Sequence, residues 1–468
     1  MKELLPVSSF CTFLVLVGLG TRQPFPRPAP LAHPRWGRRK SGGVFAAAWF
    51  AVLVLASDLS ISAADARDWP QWQGPGRAGV WASVQLPRRL EPGTVERLWS
   101  AEVGGGFSGV VVVGNRVLTM DRVGSGEEER VLCLDRKEGS LLWTHSYPAP
   151  YGDLDWGKGP RATPAVDGGE VFTLGAVGRV TCLSLSDGRP LWSLDLQKRF
   201  GGKQPTWGHS ASPLVVGDLV YLQAGGRPGA TVVALDRRTG RERWRALEDR
   251  PGYSSPVMAR IGSTDLLLVW TADRLVALDP QTGEEVWGVP FRTSSYDVAI
   301  ISPVFDGSRL FVSGYWDGAL ACSLRDGQGP EELWKSRRLS CLMSTPLWSG
   351  DHLYVLDKRD GLLCVHWPSG RVVWSDEHRL TPRGRNPHAA LVWAGEDRSG
   401  KNAGRSAAAV NAAGELVLLN LTPERFEDRG RVKIIEAGDA PLWAHPAFSG
   451  QDVFVRSQKE LVCSRVSP

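Results

Sequence analysis

The sequence has little helical periodicity and few recognisable catalytic motifs. Over most of its length it also has almost no excess of one sign of charge over the other. Its apolar residues recur in short runs broken by glycine turns, and almost no stretch shows the 3.6-residue spacing of an amphipathic helix. No HExxH, CxxC or GxSxG motif occurs, so the zinc-peptidase, dithiol and serine-hydrolase templates find no support. The pattern favours an all-β fold.

The excess of positive charge belongs mostly to an N-terminal leader. Residues 1–66 carry seven Lys/Arg and three Asp/Glu, so the rest of the chain has 48 basic and 47 acidic residues. The net charge thus falls from +5 to +1. A balanced surface does not favour a nucleic-acid partner.

The leader is typical of an exported protein. Basic residues 38–40 precede an apolar run at 44–56, and a small-x-small pattern ends at Ala66, so we expect cleavage there and a mature chain beginning at Arg67. An earlier apolar stretch, 4–20, indicates either a downstream translation start or a membrane-anchored leader. We expect no stable membrane span in the mature chain and a location in the periplasm or cell envelope.

A phrase repeated along the chain is its strongest signal. An apolar run, a glycine turn and a tryptophan ten residues beyond a small residue recur in VTCLSLSDGRPLW (180–192) and VVALDRRTGRERW (232–244). Ser/Thr-Pro pairs precede the phrases, and each unit reads as four short antiparallel strands. The prolines of these pairs, at 164, 213, 256, 303 and 346, are spaced by 49, 43, 47 and 43 residues, the length of one propeller blade.

The number of units predicts an eight-bladed ring. Weaker copies open at Ser108, His388 and His445, which brings the count to eight. The last unit stops before its outer strand, while an unassigned strand at about 94–103 precedes the first. We therefore predict an all-β, eight-bladed β-propeller over 94–468, closed by that N-terminal strand, with residues 67–93 as an extension and a monomeric state.

The repeat register assigns a structural role to most cysteines and tryptophans. Cysteines at the small-residue position are expected to be buried and too far apart for disulfides; they are Cys133, Cys182, Cys322, Cys364 and Cys463. Tryptophans that end a unit are expected to pack between neighbouring blades rather than to bind ligand. These blade-docking residues are Trp99, Trp143, Trp192, Trp244, Trp287, Trp334 and Trp374.

The consensus Ala-x-Asp-x-x-Thr-Gly-x-x-x-Trp, complete at 234–244 and 277–287, resembles the repeat of the PQQ-like, or quinoprotein alcohol dehydrogenase-like, propellers. DWPQWQGPGRAGV (68–80) and FGGKQPTWGHSASPLV (200–215) are similar to segments of exported planctomycete members. Those members are named by likeness to quinoprotein dehydrogenases or to the propeller lipoprotein of outer-membrane β-barrel assembly. The resemblance implies the propeller fold.

The resemblance extends less well to the dehydrogenases' chemistry. Pyrroloquinoline quinone (PQQ) and calcium are the cofactors it implies, but this chain has no adjacent cysteine pair and no segment matching the calcium ligands or the catalytic aspartate. Asp153 and Asp155 offer alternating carboxylates without a third ligand at loop spacing. We therefore predict no catalytic residue, no metal ligand and no cofactor, with PQQ and calcium as the alternative.

Polar and aromatic residues outside the repeat register are the candidate ligand contacts. They fall in the loops from one blade's outer strand to the next blade's inner strand, which rim one mouth of the channel. Such groups can hold a planar or anionic ligand by stacking and charge-assisted hydrogen bonds, or they only order the loops. The candidates are Trp156, Lys158, Arg161, Trp207, His209, Tyr253, Tyr296, Asp297, Arg385, Asn386, His388, Trp443 and His445.

The sequence thus favours a non-catalytic binding or scaffolding module whose partner is an envelope protein, a small molecule or a saccharide. One alternative is a quinoprotein-type oxidoreductase that uses PQQ and calcium. The other is a carbohydrate-binding or polysaccharide-processing propeller.

Overall fold

The protein is an eight-bladed β-propeller of four-stranded antiparallel sheets in a computed structural model, which confirms the predicted fold class. The structure describes residues 67–82, 84–124, 127–152, 154, 159–395, 405–438 and 440–468. The predicted leader, 1–66, lies outside these residues. Within them, no helix is long and apolar enough to cross a membrane.

The blades follow one another along the chain, each running from its inner to its outer strand. Blades one to four are β3 (Val111–Val113), β4 (Arg116–Val123), β5 (Glu128–Asp135) and β6 (Leu141–Pro148); β7 (Ala165–Asp167), β8 (Glu170–Leu174), β9 (Arg179–Ser184) and β10 (Pro190–Asp195); β11 (Leu214–Val216), β12 (Leu219–Gly226), β13 (Ala230–Asp236) and β14 (Glu242–Ala246); β15 (Val257–Ile261), β16 (Thr264–Trp270), β17 (Arg274–Leu278) and β18 (Glu285–Pro290).

Blades five to seven repeat this order, and blade eight takes its outer strand from the N-terminal region. They are β19 (Val304–Phe305), β20 (Arg309–Gly314), β21 (Gly318–Ser323) and β22 (Glu331–Ser336); β23 (Leu347–Ser349), β24 (His352–Asp357), β25 (Gly361–His366) and β26 (Arg371–Ser375); β27 (Ala389–Ala394), β28 (Arg405–Asn411), β29 (Glu415–Leu421) and β30 (Phe426–Lys433); β31 (Ala447–Ser449), β32 (Asp452–Arg456), β33 (Glu460–Val466) and β2 (Val95–Glu102).

Burial explains why the strands differ in sequence. The second and third strands of each blade are covered on both faces by neighbouring blades, so they are nearly continuous apolar runs, and all of β12 is buried. Outer strands alternate between covered and exposed residues, as in β18. One short helix, α1 (Leu196–Phe200), follows β10 and is capped by Asp195, whose carboxylate accepts from Lys198 N at 3.0 Å.

Tryptophans at the ends of six blades each donate a hydrogen bond from the indole nitrogen to the next blade. Trp192 Nε1 donates to Arg237 O of blade three at 2.7 Å. The Trp192 ring lies against Gly240, where an added Cβ would come within 2.6 Å of it. The repeat glycine is therefore needed to accept the tryptophan of the preceding blade. The other indole donors and carbonyl acceptors are Trp99 and Arg136, Trp143 and Leu185, Trp244 and Pro280, Trp334 and Trp367, and Trp374 and Thr422.

Blade five corrects the sequence register by one residue. Trp334 pairs with Ala321, whereas Cys322 pairs with Glu332, so the prediction that Cys322 occupies the small-residue position is wrong. Ala321 is the residue that faces the tryptophan, so the segment between the two is three residues longer than in the other blades. An added Cβ on Gly327 in this turn would meet no atom within 4 Å, so blade five lacks the glycine contact with a preceding tryptophan.

The predicted ring closure is confirmed by the pairing of the first long strand with the last. β2 runs antiparallel to β33, and Trp99 faces Cys463 in the register that Trp192 and Cys182 show in blade two. Blade eight therefore has a complete outer strand, although its segments come from opposite ends of the sequence.

The N-terminal extension enters the central channel, which the sequence did not predict. Trp69 bridges to Val112 of blade one, and Pro70 O accepts from Val166 N of blade two. The returning strand β1 (Val80–Trp81) pairs in parallel with β27 of blade seven. Residues 69–81 thus form a segment across the channel that contacts inner strands on several sides; we call it the channel plug.

Arg77 fixes the tip of the channel plug. Its guanidinium donates to Pro256 O and Pro213 O, each at 2.5 Å, and to Ser212 O at 3.2 Å. The cation is thus held by carbonyl groups of blades three and four, and burial lowers the pKa of Arg77 to about 9. A 3₁₀ turn at Pro75–Arg77 makes the reversal.

The extension also covers the junction between blades seven and eight. Blade seven ends without a docking tryptophan, and Trp81 Nε1 instead donates to Gly450 O of blade eight at 2.7 Å. The buried Trp81 ring packs on Phe448 with ring centroids 5.1 Å apart. Farther along, Leu90 N donates to Arg429 O of β30 at 2.8 Å. Trp81 therefore links blades seven and eight from the channel side, at the hairpin between β31 and β32 rather than at the outer turn that the docking tryptophans contact.

Candidate ligand-binding site at the channel mouth

A cavity of about 290 Å³ lies at the mouth where the inner strands begin. Each of the eight loops that lead into an inner strand contributes to its wall, and the channel plug contributes Trp72. A cavity of this size suits a small ligand or the end of an extended one. Its aromatic and basic lining residues are Trp72, Phe107, Trp207, Tyr253, Tyr315, Trp316, Trp443, Arg161, Arg385, His388 and His445.

The Ser/Thr-Pro pairs supply a partial ring of hydroxyl groups at the cavity wall. Thr163 N donates to Ser212 Oγ at 3.0 Å, and Ser212 N donates to Ser255 Oγ at 2.9 Å. Ser302 Oγ donates to Ser255 O at 2.9 Å. Each of these hydroxyls thus links one blade to the next, while the proline that follows it precedes an inner strand. The signature therefore holds the mouth together as well as marking blade starts.

The channel plug forms the floor of the cavity through Trp72 and Gln73. The Trp72 ring lies 5.8 Å from the His445 ring, and Gln73 Nε2 is 3.0 Å from His445 Nε2. Gly74 follows with φ of 73°, and a Cβ there would come within 2.7 Å of the Trp69 ring. The motif at 68–80 therefore builds the floor of the site.

A series of ring contacts leads from the cavity wall to solvent. The ring centroid of Trp207 lies 5.6 Å from those of Tyr253 and Tyr296. The centroid of Trp316 lies 6.2 Å from that of Tyr296 and 4.4 Å from that of Tyr315. Tyr296 is 60% exposed and Trp316 is 46% exposed. We call these five residues the aromatic strip; four of them also line the cavity.

Cations flank the aromatic strip. Lys358 Nζ lies 4.4 Å from the centroid of Tyr315 and 5.9 Å from that of Trp316. Desolvation, with the nearby positive charges of Arg385 and Arg359, lowers the pKa of Lys358. Among the described residues, no carboxylate forms an ion pair with Lys358 or Arg385, and no Asp or Glu lines the cavity. The mouth is therefore suited to an anionic ligand.

Two histidines of the cavity wall are neutral at physiological pH. Burial lowers the pKa of His388 to about 3, with a further contribution from His445, and burial lowers the pKa of His445 to about 4. His388 Nδ1 lies 3.3 Å from Ser344 Oγ. These imidazoles act as hydrogen-bonding groups rather than as charges.

Eight of the sequence candidates line the cavity together, and three other described candidates do not. The eight are Arg161, Trp207, Tyr253, Arg385, Asn386, His388, Trp443 and His445. His209 is buried outside the lining, Tyr296 extends the aromatic strip, and Asp297 pairs with Arg250 at 2.5 Å. Trp156 and Lys158, with Asp153 and Asp155, lie outside the described residues.

Several residues of the mouth were missed by sequence reasoning. Tyr315, Trp316 and Lys358 lie in hairpins within blades, not in the loops between blades where candidates were sought. The hairpin between the second and third strands reaches the same face as those loops, because the strands alternate in direction. Trp72 lies in the motif at 68–80, but it has no position in the repeat from which its place in the fold could be predicted. An aromatic pair at a hairpin tip is the pattern that could have identified Tyr315 and Trp316.

The described cavity residues do not fit a PQQ and calcium site. Calcium takes carboxylate and carbonyl oxygens at short range, and the cavity lining has no Asp or Glu. The two arginines and the imidazoles of the lining would repel the metal or offer it poor donors.

The fold and the mouth define a PQQ-like β-propeller with a plugged channel and an aromatic, cationic mouth. The chain belongs to the family described as outer membrane protein assembly factor BamB, whose model matches residues 127–376. The family predicted from the sequence is thereby confirmed. No curated protein matches the chain.

Solved structures show the same fold at low identity. BamB from Moraxella catarrhalis is 18% identical, with a TM-score of 0.53, and the match covers 79% of this chain and 97% of that one. A europium-containing methanol dehydrogenase is 13% identical, with a TM-score of 0.60 and coverage of 86% and 98%. The quinohemoprotein alcohol dehydrogenase ADHIIG from Pseudomonas putida HK5 is 14% identical, with a TM-score of 0.58 and coverage of 87% and 81%.

Proposed function

We propose that this protein is an exported, non-catalytic binding module that holds its ligand or partner at the channel mouth. The observation that carries the proposal is the convergence of all eight inter-blade loops on one cavity whose floor is the channel plug. Because the plug occupies the channel beneath, the mouth is a receptor surface rather than the entrance to a pore. The family description as an assembly factor supports a binding role over a catalytic one.

The cavity wall supports binding without chemistry. Its polar groups are hydroxyls, the Asn386 amide, two neutral imidazoles and cations, so the described lining has no carboxylate base. General acid–base catalysis needs a positioned group whose pKa lies near the working pH, whereas His388 and His445 have pKa values of about 3 and about 4. Such a wall can orient and retain a ligand.

A ligand screen by thermal shift tests the proposal. The purified mature chain is heated with a library of small anionic, aromatic and sugar compounds that includes PQQ with calcium. We expect stabilising compounds whose effect is lost in Trp207→Ala and in Arg385→Gln. The matched controls are Trp348→Ala and Arg238→Gln, which change exposed residues outside the cavity.

Two outcomes would contradict the proposal. Hits that persist equally in the mouth variants and the controls would place binding elsewhere. Reduction of a redox dye with an alcohol or sugar in the presence of PQQ and calcium would show an oxidoreductase and refute the non-catalytic role.

A further inference from the structure

The backbone of the aromatic strip is strained at Tyr296 and at the residue that follows it. Tyr296 and Asp297 have φ of 54° and 57°, a region that residues other than glycine rarely adopt. Arg250 sustains the conformation, since it donates to Asp297 at 2.5 Å and to Asp273 at 2.8 Å. Strain at an exposed binding face is typical of a site that is organised before its ligand arrives.

The geometry of the rings favours a chain of ring units over one flat ligand. The plane of Tyr296 is tilted by 34° to Trp207 and by 50° to Trp316. One rigid planar molecule cannot stack on all three faces. A flexible chain of saturated rings can turn along the strip, placing one ring on each aromatic face while its end enters the cavity.

The polar groups around the strip indicate the chemistry of those units. Lys358 and Arg385 form no ion pair with a described carboxylate, so they favour negative charge on the ligand. Tyr315 Oη donates to Asn386 Oδ1 beside them, and hydroxyl groups line the cavity beyond. Hydroxyl and amide groups match the dense hydroxyls of a sugar, whose apolar ring faces stack on aromatic residues.

We propose that the aromatic strip and the cavity together bind a linear acidic oligosaccharide. Its pyranose rings stack along Trp207, Tyr296 and Trp316, its carboxylates face Lys358 and Arg385, and its terminal unit occupies the cavity. This inference rests on the proposed function, because it names the ligand of the same mouth. A single-stranded nucleic acid also stacks its bases on aromatic side chains and is the competing ligand that the titration below distinguishes.

Calorimetric titration with defined oligomers tests the ligand class. The probes are hexagalacturonate, its fully methyl-esterified neutral form, and oligothymidylate. We expect hexagalacturonate to bind more tightly than the other two and to weaken as salt rises. Tyr296→Ala and Trp316→Ala should each weaken its binding about tenfold. Lys358→Gln with Arg385→Gln should remove the preference for the acidic over the neutral hexamer, while Trp348→Ala and Arg238→Gln leave it unchanged.

A separate variant distinguishes a lost ring from a lost fold. Tyr296→Gly removes the ring at a position whose φ suits glycine, so the folded state is retained, as urea unfolding will show. It should bind as weakly as Tyr296→Ala.

The possible failures are distinguishable. If no oligomer binds but small-molecule hits depend on Trp207, the proposed function stands and the ligand class is wrong. If oligothymidylate binds best through the strip, the acidic glycan is overturned. If hexagalacturonate binds equally to every variant, the strip is not the site. If neither screen nor titration detects binding at the mouth, both proposals fail.

Discussion

The repeat glycine and the docking tryptophan form a pair that spans two blades. Gly240 of blade three has φ of 67° and lies against Trp192 of blade two, so both its backbone conformation and its lack of a side chain are used. Gly327 of blade five has a similar φ, 70°, but an added Cβ there meets no atom within 4 Å. Comparing the two positions therefore distinguishes the effect of backbone strain on stability from the effect of packing against the tryptophan.

We expect Gly327→Ala to lower the free energy of unfolding by about 1 kcal/mol, the cost of the left-handed conformation alone. Gly240→Ala should cost a further 1–3 kcal/mol, roughly, because its Cβ must displace the indole. Urea unfolding of the two variants and the parent measures the difference. Equal losses would show that the tryptophan gives way freely and that the glycine serves only the turn.

The buried histidines of the mouth should make stability fall in acid. The pKa of His388 is lowered to about 3 and that of His445 to about 4, while in the unfolded chain both titrate near 6.5. Protons therefore bind the unfolded state preferentially below about pH 6.5, so the histidine contribution to stability is full above that pH and is lost progressively toward the folded pKa values.

Replacing one of these histidines should flatten that pH dependence. Between pH 7.5 and pH 4.5, His388→Gln should lose less free energy of unfolding than the parent, by about 2 kcal/mol. Chemical unfolding at the two pH values measures this. An unchanged difference would mean that His388 is not the group that the folded state keeps neutral.

At the scale of the element, the N-terminal extension links two blades that no docking tryptophan of the repeat connects. Trp81 joins blade seven, through its pairing with β27, to blade eight, through its indole nitrogen. Removing it with Trp81→Ala should cost about 3–5 kcal/mol in free energy of unfolding, as for other buried aromatic residues. Trp348→Ala, at a 37% exposed tryptophan, should cost clearly less. A small loss at Trp81 would show that the junction is held by the blades alone.

How far the sequence predicted these elements depended on whether their contacts were periodic. The blades, the closing strand and the docking tryptophans could be predicted from the spacing of the repeat, because each copy occupies the same positions as the other copies. The channel plug has no copy, and its partners, such as Val166 and Pro256 for Pro70 and Arg77, lie far away in sequence. Its motif marked a family resemblance without indicating a place in the fold.

The candidate site was predictable in part for the same reason. Loops between blades were located by counting, which brought Arg161, Trp207, Arg385 and His445 to one cavity. His209 could not be distinguished from them, since its burial depends on packing around Gly178. Asp297 could not be separated from a ligand contact either, because its ion pair with Arg250 joins two loops.

At the scale of the whole molecule, we expect a processed monomer in the envelope. Intact-mass analysis of the exported protein should give a mature chain that begins at Arg67, and light scattering should give the mass of one copy. A retained leader would indicate a membrane-anchored form, and a dimer would indicate that a further surface is used. Both measurements precede the binding experiments, because they define the species to be titrated.

The pairing of β2 with β33 also sets an order of events during synthesis. The strand that seals the ring emerges early from the ribosome, whereas its neighbour emerges after all seven complete blades. Until then, β2 has an unsatisfied backbone edge and the junction below it is open, so the nascent chain exposes a strand that other chains can pair with. Protection during synthesis is therefore most needed by β2, the strand that waits longest for its partner.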